Sequence, residues 1–293
     1  MNRHFTPIAL ATVLASVAIG QIAATGGSSV YRDQRDDMML RQFVGSIFRY
    51  GQEDGVKTIS FKVSGEPTKA QQVEGRWRTK GLDVFADQIE GLAAAKPEGG
   101  YALRQGTMSG GVKLYATSKD KNEAVSTLDV RSEKVLYAAG KTEDVATIPT
   151  PMTLYRYQGA APAKPDEADQ TLRITGRSAT LYLDPDPLAK ERLRRANIVG
   201  DVRIIVRKID PKKKANSQFE AKGNRAETDR SSGTLKITLI GNVTVDGFDD
   251  SNLGSVRGAS RAEITLDEEN NVKEIALSGE PTTTTLKKSG GRQ

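Results

Sequence analysis

The chain has 293 residues, is 37% apolar and carries a formal charge of +6, with acidic and basic residues interspersed among Val, Ile, Leu and Thr. That composition is folded sequence, long enough for one extended β structure or two packed β units. There is no cysteine and the single histidine is His4, which excludes a thiolate nucleophile, a sulfur-built zinc site, a disulfide framework and, beyond the first residues, histidine acid–base chemistry.

Arg3 and His4 precede an Ala-rich apolar run from Ile8 to Ala24, and Gly26, Gly27, Ser28 and Ser29 follow it. This is the layout of an export signal. The run is short for a spanning helix, which needs about 20 clearly apolar residues. Residues 1–29 are therefore expected to form a signal or anchor helix with a flexible flank, either cleaved after Gly20 or Ala24 or retained in the inner membrane. Both outcomes place the remainder in the periplasm.

Residues 30–54 read as a lead-in and a short amphipathic helix over 36–50, because Met39, Leu40, Phe43, Val44, Ile47 and Phe48 fall at helical spacing. Such a face packs on the domain or meets a membrane or partner.

From residue 55 the pattern turns to alternation, broken at short intervals by Gly, Pro, Asn and Asp. It divides into an N-terminal β portion over 55–158, a Pro- and Ala-rich linker or long loop over 159–169, a C-terminal β portion over 170–287 and a tail over 288–293. The one helical candidate in this region, Pro187 to Ala196, is short and reads better as a charged hairpin loop.

A phrase recurs within the alternation. Met108-Ser-Gly-Gly-Val-Lys-Leu114, Ile198-Val-Gly-Asp-Val-Arg-Ile204 and Leu239-Ile-Gly-Asn-Val-Thr-Val245 are three copies, and Val63-Ser-Gly-Glu-Pro-Thr68 and Leu277-Ser-Gly-Glu-Pro-Thr282 are degenerate ones. The glycines at 65, 110, 200, 241 and 279 are 45, 90, 41 and 38 residues apart, as if one copy near 155 had decayed. A second element, Gly176-Arg-Ser-Ala179, Gly223-Asn-Arg-Ala226 and Gly258-Ala-Ser-Arg-Ala262, precedes each later phrase.

Parity decides what these glycines do, since side chains of one strand alternate faces with period two. Leu235, Ile237, Leu239, Val243 and Val245 share one parity across Gly241, as do Met108, Val112 and Leu114 across Gly110, and Ile198, Val202 and Ile204 across Gly200. The apolar face passes through each glycine unchanged, which predicts one long strand kinked at Gly110, Gly200 and Gly241 instead of a tight hairpin. A curved, folded-over sheet needs such a bend. The glycine is expected on the inner face, where the opposite sheet or a ligand approaches closely.

Gly223-Asn-Arg-Ala-Glu, then Gly233 to Gly247, Arg261-Ala-Glu-Ile-Thr-Leu-Asp267 and Val272 to Gly279 resemble the OstA-like family, the periplasmic lipopolysaccharide-transport proteins of the LptA and LptC type. The similarity runs over about residues 170 to 287 and, more faintly, 73 to 118. It implies an all-β fold, a long curved antiparallel β-jelly roll whose folded-over sheet shields acyl chains. It further implies lipopolysaccharide or a related glycolipid as ligand, stacking on other jelly-roll transport proteins through edge strands, and an inner-membrane ABC transporter complex supplying the energy. On that reading the acyl-chain groove is lined by Val112, Leu114, Ile198, Val202, Ile204, Ile237, Leu239, Val243, Val245, Ile264, Leu266, Ile275 and Leu277. Each buried methylene of a lipid tail gains about 0.8 kcal/mol. Ordinary core packing is the alternative for each of these residues. The expected pairing edges are the first strand, with Ile59, Phe61 and Val63, and the last, with Thr283 and Thr285.

Other signals carry little chemistry. Ala139-Gly-Lys-Thr142 has Val135 where a phosphate-binding loop needs glycine, and no helix follows it. Pro211-Lys-Lys-Lys-Ala215 reads as a solvated loop that could also meet lipid phosphates, and Asp184-Pro-Asp-Pro187 and Asp246-Gly-Phe-Asp-Asp250 as turns. Trp77, Tyr155 and Tyr157 are candidate anchors within the sheet. No nucleic acid and no cofactor is expected, no converging acid–base set is present, and the chain reads as a non-enzyme. A structural or adhesive envelope scaffold with a fully packed interior is the competing function; an open apolar channel separates the two.

Overall fold

The computed structural model describes residues 21–25, 28–33, 35, 37–66, 71–119, 125–158, 170–186, 188–189, 191–210, 215–231, 234–248, 252–267, 271–279 and 283–288. The strands in chain order are β1 Gln21–Thr25, β2 Ser28–Arg32, β3 Met38–Phe43, β4 Gly45–Glu53, β5 Val56–Ser64, β6 Val73–Trp77, β7 Leu82–Ala86, β8 Gln88–Ala95, β9 Tyr101–Lys119 and β10 Val125–Ala138. They continue as β11 Asp144–Ile148, β12 Met152–Gln158, β13 Gln170–Gly176, β14 Ser178–Leu183, β15 Leu193–Asp210, β16 Ala215–Ser231, β17 Thr234–Phe248, β18 Asn252–Leu266, β19 Val272–Ser278 and β20 Thr283–Lys288. A single 3-10 turn at Arg78–Lys80 is the only helical element among the described residues.

Every pairing is antiparallel, and together they make one sheet with two arms. The first arm runs β1, β2, β3, β6, β7, the second half of β9, the first half of β10, β12, β13, the second half of β15, the first half of β16, the second half of β17, the first half of β18, and β20. The second arm runs β4, β5, β8, then the other halves of β9 and β10, β11, β14, the other halves of β15 to β18, and β19. The two β portions and the strands flanking residues 159–169 are thus joined by direct pairing, β12 on β13 and β11 on β14.

The arms meet along a line of bends. Three of the strands that cross the line, β9, β15 and β17, carry two consecutive residues with positive φ there: Gly110 and Gly111 at 79° and 54°, Gly200 and Asp201 at 81° and 49°, Gly241 and Asn242 at 78° and 48°. The register slips beside each pair, at Ser132/Lys134, Val199/Val202 and Ile240/Val243. These are β-bulges, which insert residues into a ladder and sharpen its bend. Shorter strands break at the same line, and the breaks are tied across it: Val44 donates to the Ser64 carbonyl at 2.9 Å, Gly65 to Asp87 at 2.8 Å, Asp87 to Gly110 at 3.0 Å and Arg177 to Gly200 at 3.0 Å.

The kinked strands therefore agree with parity: Met108 and Val112, Ile198 and Val202, and Leu239 and Val243 are buried on either side of their glycines. The place of the glycines differs from expectation. They lie on the outer side of the bend, where a side chain at Gly110 would meet Asp87, one at Gly200 Arg177 and one at Gly241 Asn224. Glycine is needed there for its positive φ, which L side chains disfavour.

Two other expectations are corrected. The described part of residues 36–50 forms no helix: Met38–Phe43 and Gly45–Glu53 are strands in different arms. Met39, Leu40 and Phe43 are buried, whereas Val44 and Ile47 are about half exposed. Two short strands divided by a bend mimic helical spacing, and the pairing of β3 with β6 and β4 with β5 decides the outcome. Of the expected loop from Pro187 to Ala196, the residues from Leu193 onward belong to β15, and Pro187 and Lys190 lie outside the described residues. Residues 1–20 of the expected leader and the linker over 159–169 lie outside the described residues; the leader's last residues, Gln21–Thr25, are strand.

Candidate functional site

The inner faces of the two arms pack on each other, and their pairings line up into rungs that run the length of the sheet. In the first arm one rung passes through Tyr31, Leu40, Gly75, Val84, Leu114, Val130, Leu154, Ile174, Ile204, Ala221 and Val245 to Val256. In the second, Ile148, Ala179, Ile198, Ala226, Leu239, Ala262 and Leu277 form one rung, and Leu181, Ala196, Thr228, Ile237, Ile264 and Ile275 another. With neighbouring strands about 4.8 Å apart, the apolar interior extends for about 50–60 Å.

The structure brings the residues expected to line a groove into this interior. Val112, Leu114, Ile198, Val202, Ile204, Ile237, Leu239, Val243, Val245, Ile264 and Leu266 are buried in one continuous cluster with Trp77, Met108 and Leu154. Among the described residues this interior is one continuous buried apolar cluster. Ile275 and Leu277 differ. They continue the same inward rungs but are 38% and 37% exposed, because among the described residues β19 is the last strand of its arm and pairs only with β18.

The expected edges divide likewise. Ile59, Phe61 and Val63 are not on an edge: β5 is flanked by β4 and β8, and all three side chains are buried. β4, which was read as helix, covers that side by pairing with β5 through the two-residue Asp54-Gly55 turn. Thr283 and Thr285 do lie on a terminal strand, β20, whose described pairing is with β18 alone.

Opposite the bend line the arms end in turns, and there the two faces are held together by polar contacts that sequence reading did not find. At one end Lys96 pairs with Asp37 at 2.6 Å, and the Tyr101 N–H donates to Asp33 at 2.9 Å. Next, the fully buried Asp144 receives Lys80 at 3.0 and 3.1 Å, the Tyr137 hydroxyl at 2.5 Å and the Gly140 N–H at 3.1 Å. Arg192 bridges the arms by donating to the Lys80 carbonyl at 2.6 Å and the Asp184 carbonyl at 3.0 Å. Arg156 pairs with Glu191, which also takes Arg230 at 2.9 Å. Further along, Lys208 donates to Asn271 at 3.0 Å. Burial and the nearby Asp144 carboxylate push the Tyr137 hydroxyl far above the ordinary tyrosine range, and burial draws the Arg192 guanidinium down.

A signal for part of this mouth exists in the sequence. Arg156 falls on the inward parity of Met152 and Leu154, and Arg230 on that of Ala226 and Thr228. A charge on the apolar parity of a strand must find a partner or cost several kcal/mol. The turn chemistry read at Asp184–Pro187 is present: Asp184 accepts from the Asp186 N–H and Asp186 from the Leu188 N–H, both at 2.9 Å. Trp77 and Tyr157 are fully buried and Tyr155 nearly so.

Among the described residues no helix is long and apolar enough to cross a membrane. No family model, no curated protein and no solved structure matches the chain.

Proposed function

We propose that this protein is a periplasmic β-jelly-roll lipid carrier, one that shelters the acyl chains of lipopolysaccharide or a related glycolipid and bridges inner and outer membrane. The reading rests on the resemblance to the OstA-like family and on one structural observation. The inward apolar rungs run the length of the sheet and end in the partly exposed Ile275 and Leu277 of the terminal strand β19. A tail lying on those rungs leaves water without any change in covalent chemistry, at about 0.8 kcal/mol per methylene. Similar jelly-roll proteins would extend the rungs by pairing on the terminal strands, and an inner-membrane ABC transporter complex would supply the energy. The chain itself would carry out no reaction. The net charge of +6 suits an anionic glycolipid.

For a tail to enter, the arms must part along the polar mouth. The complete burial of Leu239, Ile237 and Ile198 favours the second reading, a structural or adhesive envelope scaffold with no lipid ligand. Photo-crosslinking in cells separates the two, with probes placed at Leu277 on the open end and at Leu239 inside. A carrier gives glycolipid adducts at both positions. Protein adducts alone, at either depth, would sink the carrier and leave the scaffold.

A further inference from the structure

The outer face of the first arm carries a row of cations that the apolar interior does not use. Side chains alternate faces along a strand, so the residues beside the inward Leu114, Val130, Ile204, Ala221 and Val256 point outward. In register across the strands, Lys113 stands opposite Arg131 and Arg203 opposite Lys222, and Arg257 lies on the same rung. The places between them are filled by Thr153, Thr175 and Thr244. From β9 to β18 this rung holds cations and threonines and no carboxylate. With strands about 4.8 Å apart, it is about 34 Å long.

Like charges directly opposite each other destabilise a ladder, and this rung has two such pairs. The neighbouring outward rung compensates them only in part. From it Asp129 takes Arg131 at 2.9 Å, and Glu220 is shared by Arg203 at 2.8 Å and Lys222 at 2.9 Å. That rung also holds Asp246 and a further cation, Arg173, whose Nε is buried with no hydrogen-bond partner. The two rungs thus set six cations against three carboxylates. Lys113 makes no hydrogen bond or ion pair among the described residues, and neither does Arg207 beyond it. The outside of the second arm is built differently: Arg225 pairs with Glu227 and Arg261 with Glu263, both at 2.6 Å, and Lys236 also takes Glu263.

A single-file row bordered by Glu220 and Asp246 suits a linear polyanion, whereas an anionic bilayer pressed on this face would meet those carboxylates as well. Single-stranded nucleic acid binds on exposed aromatic platforms. Here Tyr115 and Tyr155 are 4% and 5% exposed, and Arg131 and Arg173 lie over the Tyr155 ring at 5.0 and 5.6 Å. Hydroxyls interleaved with cations match a sugar chain that carries both hydroxyls and carboxylates. We propose that the row Lys113, Arg131, Arg203, Lys222 and Arg257 is a docking track for a linear acidic polysaccharide. Its carboxylates bridge the like-charged pairs and its hydroxyls meet the threonines. The track lies on the opposite side of the sheet from the apolar interior, so it holds for carrier and scaffold alike.

Calorimetric titration of the purified full chain with polygalacturonate tests it, at an ionic strength of about 0.1 M, where charges more than about 10 Å away are screened. Dextran is the uncharged control. Saturable binding of polygalacturonate that weakens as salt rises is expected, and none of dextran. Lys113→Thr with Lys222→Thr, at two exposed positions of a rung that already uses threonine, is expected to weaken binding by roughly tenfold. Its melting temperature should hold or rise, because both like-charge pairs are gone. Arg225→Thr with Arg261→Thr removes the same charge from the other arm and should leave affinity within about twofold. Equal losses in the two double variants would reduce the effect to net charge and overturn the track, as would no saturable binding of polygalacturonate. Tighter binding of phosphatidylglycerol vesicles or oligothymidylate, abolished by Lys113→Thr with Lys222→Thr, would overturn the polysaccharide and give the row to that partner instead.

Discussion

Gly241→Ala and Gly110→Ala put the bend line to a quantitative trial. Both glycines have φ near +78°, a conformation that costs an alanine about 1–2 kcal/mol. The steric term differs between them. At Gly241 the new methyl would meet the Asn224 Nδ2 at 2.8 Å, but the Asn224 Cβ only at 3.4 Å, so the amide can rotate away for about 0.5–1 kcal/mol. At Gly110 it would meet the Asp87 Cβ at 2.6 Å, an atom fixed by the backbone, so the neighbouring strand must move at a further cost of about 1–3 kcal/mol. Gly241→Ala is therefore expected to destabilise by about 1.5–3 kcal/mol and Gly110→Ala by about 2–5 kcal/mol. Asn224→Ala should remove most of the steric part at Gly241, while Asp87→Ala, which keeps its Cβ, should relieve Gly110 little. Urea unfolding followed by Trp77 fluorescence measures all of these, since the single tryptophan is fully buried. Equal costs at the two sites, or a cost under about 0.5 kcal/mol at either, would refute the claim that positive φ and close approach on the outer ridge select glycine.

Asp144→Ala is expected to cost about 3–5 kcal/mol, because it strips a fully buried carboxylate from Lys80 and Tyr137 at the mouth; a thermal melt that shifts by under a few degrees would contradict this. The alkaline limb of stability is set partly by Tyr137. Its folded pKa is raised well above the unfolded value near 10, so above that pH the unfolded chain loses a proton that the folded one keeps. Stability is then fully present below about pH 10 and falls as pH rises, by at most about 1.4 kcal/mol per unit from this residue. Tyr31, raised by burial, and Tyr115, pushed up to about 12, act in the same direction. Tyr137→Phe should flatten the decline in urea midpoints between pH 9 and 11, and parallel slopes would argue against the assignment. Finally, Ile264→Ala is expected to cost about 2–5 kcal/mol, and Ile275→Ala, its partner across the ladder, about 1 kcal/mol or less, given its exposure. Chemical denaturation of the two variants compares them directly, and similar losses would mean that the end of the sheet is closed.

Local signals were legible and distant ones were not. Parity across Gly110, Gly200 and Gly241 revealed the long bent strands, since alternation and left-handed backbone are properties of a few adjacent residues. The inward residues of β9, β15, β17 and β18 followed from the same pattern. Residues 36–50 misled because i, i+3, i+4 spacing also arises from two strands that turn over at Val44, and only β6 and β5, which pair with them, choose between these. The mouth depends on partners far apart in the chain, 64 residues for Lys80 and Asp144 and 112 for Arg192 and Lys80, so no window of sequence contains it. Ile275 and Leu277 have the same alternation as their buried neighbours; what exposes them is position at the end of the ladder, which the pattern does not encode.

The folded cross-section repeats with each out-and-back pair of bent strands, such as β16 and β17, and the 41 residues from Gly200 to Gly241 span one such period. Duplication of one period would insert two further ladders and lengthen the interior by about 10 Å without disturbing its width. Reach in this architecture is thus a quantity that tandem duplication of a gene segment can tune in fixed increments, independently of the strands at either end.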